Sequence, residues 1–175
     1  MLVNTVLLSG AYLAIYFVFG GFSIAAPALL VLIFGAILVW LSVEDIALLS
    51  IPAPILVAAT FLALALADDL GQPLWRNIAS CVVYGGVVYG IGWAFTRVRG
   101  SKALSLGETW LIAIGALLLG PVEPLTVVLI ASVTALAWLP IRGFIFGTAA
   151  TAPLPFGPFV AAGIWITLIK PMILF

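Results

Sequence analysis

Long runs of apolar residues, separated by short clusters of proline and glycine, make up most of the chain. A helix needs about 17 to 25 residues to cross a bilayer, and backbone at that depth must be helical or closed into a barrel. The runs are too continuous for barrel strands, in which apolar and polar side chains alternate. The pattern therefore predicts seven helices, over Leu2–Phe19, Ile24–Val43, Pro54–Ala67, Asn77–Phe95, Glu108–Leu119, Leu125–Leu139 and Phe159–Leu174.

The predicted fold class is all-α, a polytopic transmembrane helix bundle of about seven spans, with six to eight compatible with the pattern. A single integral-membrane domain is expected to cover residues 1–175. The first run lacks the basic start and the small-residue cleavage site of a signal peptide, so we expect it to be retained as a span. Gly86 and Gly90 form a GxxxG step, with Gly85 and Gly92 alongside, and small residues of this kind favour close helix packing in lipid.

Composition supports a membrane location, because 66% of the residues are hydrophobic and only 7% are charged. Soluble domains typically carry about 25% charged residues. The mean hydropathy is +1.40. The formal net charge is +0 and no basic cluster is present, so the chain lacks the phosphate-binding surface that nucleic-acid partners require. We expect a lipid bilayer as partner and no nucleic acid.

The basic residues set the predicted orientation. With seven spans, the side that holds the N-terminus also holds Arg97, Arg99, Lys102 and Arg142, whereas the opposite side holds Arg76 and Lys170. Cytoplasmic loops of membrane proteins are enriched in Lys and Arg. The N-terminus is therefore expected in the cytoplasm.

Several kinds of chemistry are excluded by residues that the chain lacks. It contains no histidine and a single cysteine, Cys81. Histidine-dependent nucleophilic catalysis, histidine-ligated metals and an internal disulfide are therefore excluded. One thiol cannot build a thiolate metal site either, so we expect no cofactor and no metal. Carboxylates remain as the candidates for acid–base chemistry.

The acidic residues fall into two groups. Asp68, Asp69 and Glu123 lie in predicted outer loops, whereas Glu44, Asp45 and Glu108 belong to the predicted inner side. Ionised carboxylates close to membrane depth are costly and often mark a functional site.

Asp45 follows the end of one predicted helix and Glu108 begins another, so the two helix dipoles should give their carboxyl groups different proton affinities. Two such groups can share a proton around a water, as in aspartic peptidases. The alternative is that both acids are interfacial anchors at helix ends, and the pattern alone makes this the simpler interpretation.

Three separated segments resemble one family in order and spacing. Asp45 precedes Ile51 and Pro52; Ser105-Leu106-Gly107-Glu108 precedes an apolar helix; and Pro155-Phe156-Gly157-Pro158 precedes the last helix. These segments resemble the type IV prepilin peptidases, which are GxGD-type membrane aspartic peptidases. The short chain is similar to the tight-adherence-pilus branch of that family.

The resemblance implies a function, a location and a site. It implies an endopeptidase of the bacterial inner membrane that cleaves leader peptides from pilin-like precursors at the cytoplasmic face. Asp45 and Glu108 would be its general base and general acid, supported by the motif residues Ile51, Pro52, Gly107 and Pro155–Pro158. Glu44, next to Asp45, has no role in the motif.

Three departures from the family pattern fall at the motif itself. Ser105 stands at the first motif glycine, Glu108 at the second catalytic aspartate and Trp110 at the usual lysine. Glutamate keeps the charge but is one methylene longer than aspartate. A second hypothesis therefore stays open, in which the chain is a catalytically inactive family member and a structural subunit of a larger membrane complex.

Overall fold

The computed structural model describes residues 26–70, 73–100, 104–146 and 154–173, and all regular secondary structure in these ranges is helical. The all-α fold class is therefore confirmed for the described residues. The helices are α1 (Ala26–Leu48), α2 (Ala53–Asp69), α3 (Leu74–Arg99), α4 (Leu106–Leu119), α5 (Glu123–Phe146) and α6 (Gly157–Ile173). The helix predicted over Leu2–Phe19 lies outside the described residues.

Three described helices are long and apolar enough to cross a membrane, as judged by length and composition. They cover Leu29–Leu48, Leu74–Arg99 and Glu123–Ile145. The apolar parts of the other three helices are shorter and cover Ala53–Asp68, Leu106–Leu119 and Gly157–Ile169. A membrane location is thus plausible for this part of the chain.

The short helix α4 is the centre of the bundle. It contacts α2, α3, α5 and α6, and every residue from Leu111 to Leu119 is buried. From Leu111 onward, α4 is apolar on all sides. A helix of this composition is usually buried on all sides, as α4 is here. Its first turn, which carries Glu108, is thereby held between the other helices.

Helix α6 is the second buried element and packs against α1, α4 and α5. Trp165 on α6 is only 2% exposed, and its ring lies so close to Gly35 of α1 that an added Cβ there would be 2.7 Å from it. Gly115 of α4 similarly faces Ile164, at 2.9 Å from an added Cβ. Small residues let helices approach closely in lipid, and α6 reaches the core in this way.

Helix α3 is peripheral. Its Ser80 hydroxyl donates to the Gly120 carbonyl at 2.9 Å, and Gly85 packs on Ala113 of α4. Within the described residues, nothing lies within 4 Å of a Cβ added at Gly86 or Gly90. Of the glycines expected to pack, Gly85 and Gly92 thus make contacts in the described part of the chain, with Ala113 and Leu104.

Most helix bounds differ from the predicted ones by a few residues, and the two largest differences are at the C-terminal ends of α1 and α5. Helix α1 continues past Val43 to Leu48, so Glu44 and Asp45 are part of the helix. The helix ends where Leu49 adopts a φ of 51°. Helix α5 continues through Pro140 to Phe146. A proline removes one backbone hydrogen bond, and this loss does not end the helix here.

Candidate functional site

Asp45 lies in the last turn of α1 and is buried. Its side chain is 2% exposed, and its Oδ2 accepts a hydrogen bond of 2.9 Å from the backbone N–H of Gly157. Burying a carboxylate is costly unless hydrogen bonds compensate it. The Gly157 amide supplies one such bond.

Gly157 is the first residue of α6, and its lack of a side chain is required. A Cβ at this position would lie 2.7 Å from Asp45 Oδ2 and 3.0 Å from Asp45 Cγ. The first N–H groups of a helix have no partner within the helix and bind anions readily. Because Gly157 leaves room, a carboxylate from another helix can take that role.

Glu108 lies in the first turn of α4 and is 7% exposed. Its Oε2 accepts from the backbone N–H of Ser105 at 2.6 Å, while the Ser105 hydroxyl accepts from the backbone N–H of Glu108 at 3.1 Å. This reciprocal arrangement is a capping box, which satisfies two backbone donors at the start of a helix. The longer side chain of glutamate is what allows it to fold back onto Ser105.

The other oxygen of Glu108 connects α4 to α6. Glu108 Oε1 accepts a hydrogen bond of 3.1 Å from the backbone N–H of Phe156. Phe156 directly precedes Gly157, and consecutive Cα atoms are about 3.8 Å apart. The two predicted catalytic carboxylates, which are far apart in sequence, therefore bind consecutive amides of one segment and are neighbours at one end of the bundle.

Glu44 does not join this pair. Its carboxylate accepts a hydrogen bond of 3.1 Å from the Trp40 indole on the outer side of α1. The structure thus separates two adjacent acids, with Asp45 turned inward and Glu44 turned outward.

The supporting motif residues surround the two carboxylates. Ile51 is 7% exposed and packs on Gly107, where an added Cβ would lie 2.8 Å from Ile51 Cβ. Pro52 has φ −64° and ψ 128° and forms the N-cap of α2. The half-buried Pro155 and Pro158 flank Phe156 and Gly157, and Pro158 lies in the first turn of α6, where a missing N–H costs little.

Trp110, at the position of the family's usual lysine, has a structural contact in this chain. Its indole Nε1 donates to Thr60 Oγ1 on α2 at 3.2 Å. The contact links α4 to α2 two residues after Glu108 of the capping box.

A groove of about 550 Å³ lies beside the two carboxylates, on the α3 side. Its walls come from the turn after α1, from the C-terminal half of α3 and from the start of α4. Ser105 and Gly107 line it, whereas Asp45 and Glu108 do not. The site therefore consists of a closed carboxylate pair and an open groove that share one wall.

The N-termini of two helices provide a favourable electrostatic environment for the carboxylates of Asp45 and Glu108. Both α4 and α6 begin at the carboxylates, and the partial positive charge at a helix N-terminus favours negative groups. Asp45 lies instead at the C-terminal end of α1, whose partial charge is negative. Among the described residues, no group of three or more potential metal ligands occurs.

Two features of the site were not predicted from the sequence. The capping box has a sequence signature, Ser-x-x-Glu before an apolar run, and Ser105-Leu106-Gly107-Glu108 fits it. The amides of Phe156 and Gly157 have no comparable signature, because their role depends on how α6 is placed against α1 and α4.

Comparison with known proteins gave no relative. A scan against protein-family models, a search of curated proteins and a search of solved structures each found no significant match.

Proposed function

We propose that the chain is a membrane aspartic endopeptidase of the prepilin-peptidase type. In this proposal it spans the bacterial inner membrane about seven times, with the N-terminus and the acid pair at the cytoplasmic face. It cleaves a short basic leader from the hydrophobic N-terminal helix of a pilin-like precursor. The observation that carries the proposal is that Asp45 and Glu108 bind consecutive amides, Gly157 N–H and Phe156 N–H.

The proposed chemistry uses one ionised and one protonated carboxyl group, because two neighbouring carboxyl groups repel each other when both are ionised. The ionised group accepts a proton from a water molecule, whose oxygen attacks the carbonyl carbon of the scissile peptide bond. The protonated group gives its proton to the leaving nitrogen as the carbon–nitrogen bond breaks. Asp45 lies at the C-terminal end of α1 as well as at the N-terminus of α6, whereas Glu108 lies at the N-terminus of α4, so the two carboxyl groups have different helix-dipole environments.

The capping box supports a catalytic role for glutamate at position 108. Catalytic groups must be placed within about 0.5 Å of their working geometry. Glu108 is fixed by Ser105 on one oxygen and by Phe156 on the other, which offsets the freedom of its extra methylene. Each oxygen retains a further lone pair that can accept from water.

Cleavage of a co-expressed pilin-like precursor tests the proposal. Asp45→Asn and Glu108→Gln are each expected to abolish cleavage, because each removes an ionisable group with little change in size. An amide has one acceptor oxygen, so Glu108→Gln also gives up one of the two backbone N–H groups that Glu108 accepts from. Glu123→Gln, an acid in the first turn of α5, is the matched control and should cleave normally. Normal processing by either of the first two variants would end the peptidase proposal.

The burial of the two carboxylates favours a second candidate function. Asp45 is 2% exposed, and both oxygens of Glu108 already bind backbone amides. The same contacts could serve only to join α1, α4 and α6 in a structural subunit of a larger membrane complex. This function predicts that purification in mild detergent recovers partner proteins in fixed stoichiometry, and a chain that purifies alone would count against it.

A further inference from the structure

The groove beside the carboxylate pair has the size of a binding site. Its volume of about 550 Å³ lies in the range of ligand pockets, about 300 to 1,000 Å³. A helix with side chains is about 10 to 12 Å across, so one turn of it fills roughly 500 Å³. The groove therefore fits a few residues of unwound chain and excludes a longer helix.

The chemistry of the groove suits a peptide. Tyr89 and Trp93 of α3 form an aromatic wall, and both are more than half exposed. Ser50 and Tyr89 are both exposed and place hydroxyl groups at the groove. These hydroxyls can bind the carbonyl and N–H groups of an extended chain, which a lipid acyl chain lacks.

The groove is continuous with the carboxylate pair. Ser105 lines the groove and also binds Glu108, while Gly107 and the Ile51 side chain that packs on it both line the groove. The turn that supplies Ser50 directly follows the helix end that supplies Asp45. A chain lying in the groove would thus lead directly to the two acids.

We propose that this groove binds the stretch of the precursor next to the scissile bond, in an extended conformation. The inference rests on the proposed function and adds to it a binding subsite. Gly92 is the position that controls it: an added Cβ would lie 3.7 Å from Leu104 Cβ, an ordinary contact, so a longer side chain would extend into the groove. Gly86 offers a matched control on the same helix, since nothing described lies within 4 Å of its added Cβ.

Photocrosslinking tests the groove independently of cleavage. The probe is a synthetic peptide with a short basic leader, an apolar helix-forming stretch and a photoreactive residue just after the leader. In the full-length Asp45→Asn chain, adducts are expected on α3 and on the first turn of α4. Gly92→Leu should lower the yield about tenfold, a loss of about 1.4 kcal/mol in binding. Gly86→Leu should leave the yield unchanged.

A second pair of variants covers the case in which Gly92→Leu fails to fold. Trp93→Ala removes part of the aromatic wall at an exposed position and should also lower the yield, whereas Trp75→Ala, at the other end of α3, should not. Three results would contradict the proposal that the groove binds the precursor. They are equal crosslinking yields for Trp93→Ala and Trp75→Ala, adducts on other helices, and adducts to lipid alone. Adducts without any cleavage by the unmodified chain would overturn the peptidase proposal and leave the groove standing.

Discussion

Ser105 and Glu108 hydrogen-bond to each other in both directions at the start of α4. These two residues are also two of the three departures from the resembled motif, at its first glycine and its second aspartate. These two departures therefore form one structural unit: serine provides the cap, and the longer acid reaches back to the serine backbone. This coupling explains how a glutamate can occupy the position of an aspartate without losing a defined geometry.

Substitution of Ser105 tests the cap. Ser105→Ala removes the oxygen that accepts from Glu108 N–H and is expected to lower the free energy of unfolding by about 1 kcal/mol. Ser105→Gly should cost only a few tenths, about 0.3 kcal/mol, because glycine is tolerated at an N-cap. Ser105→Thr, which keeps the hydroxyl, should be close to the original. Thermal unfolding in detergent compares them, and equal stability of the alanine and original chains would refute the cap.

Shortening Glu108 tests whether glutamate is fitted to its site. Glu108→Asp removes one methylene, so the carboxylate can no longer bind both Ser105 N–H and Phe156 N–H. We expect a loss of about 1.5 to 3 kcal/mol in stability, as for a hydrogen bond to a charged group, and a fall in precursor cleavage. Higher cleavage by Glu108→Asp would contradict this expectation and would indicate a degenerate active site.

Gly157→Ala tests the close approach of α6 to Asp45. The added Cβ would lie 2.7 Å from Asp45 Oδ2, so the carboxylate must leave the Gly157 amide. The expected cost is about 1 to 3 kcal/mol, with loss of cleavage. Gly86→Ala is the control, because it adds the same methyl group in open space within a helix and should stabilise by about 0.5 to 1 kcal/mol. Unchanged cleavage by Gly157→Ala would show that the Asp45 contact is dispensable.

A double-mutant cycle tests the contact between Trp110 and Thr60. Trp110→Phe and Thr60→Val each remove one side of the hydrogen bond between the indole and the Thr60 hydroxyl. A coupling free energy of about 0.5 to 1.5 kcal/mol is expected from chemical or thermal unfolding of the four chains. Strict additivity would mean that the two side chains do not interact.

The all-α class and most helices could be predicted from the sequence, since continuous apolar runs leave few alternatives in lipid. Ends were harder to predict. Glu44 and Asp45 indicated the end of a helix by their charge, but the backbone ends only at Leu49, where φ is 51°. The helix predicted to end at Leu139 continues through Pro140 to Phe146.

The candidate site was predictable in part. Asp45 and Glu108 were selected by type and motif, and their meeting could follow only from tertiary structure. The capping box was readable in Ser105-Leu106-Gly107-Glu108 as a local pattern. The packing face of α3 was not, because Gly85 and Gly86 are equally small and only the position of α4 selects Gly85.

Hydrolysis of a precursor in heavy-oxygen water tests the central claim most directly. If Asp45 and Glu108 activate a water between them, mass spectrometry of the released leader should find one heavy oxygen atom in its new C-terminal carboxyl group. The Asp45→Asn and Glu108→Gln chains should release no leader under the same conditions. Failure of the unmodified, folded chain to release a labelled leader would contradict the claim that this carboxylate pair is a peptidase site.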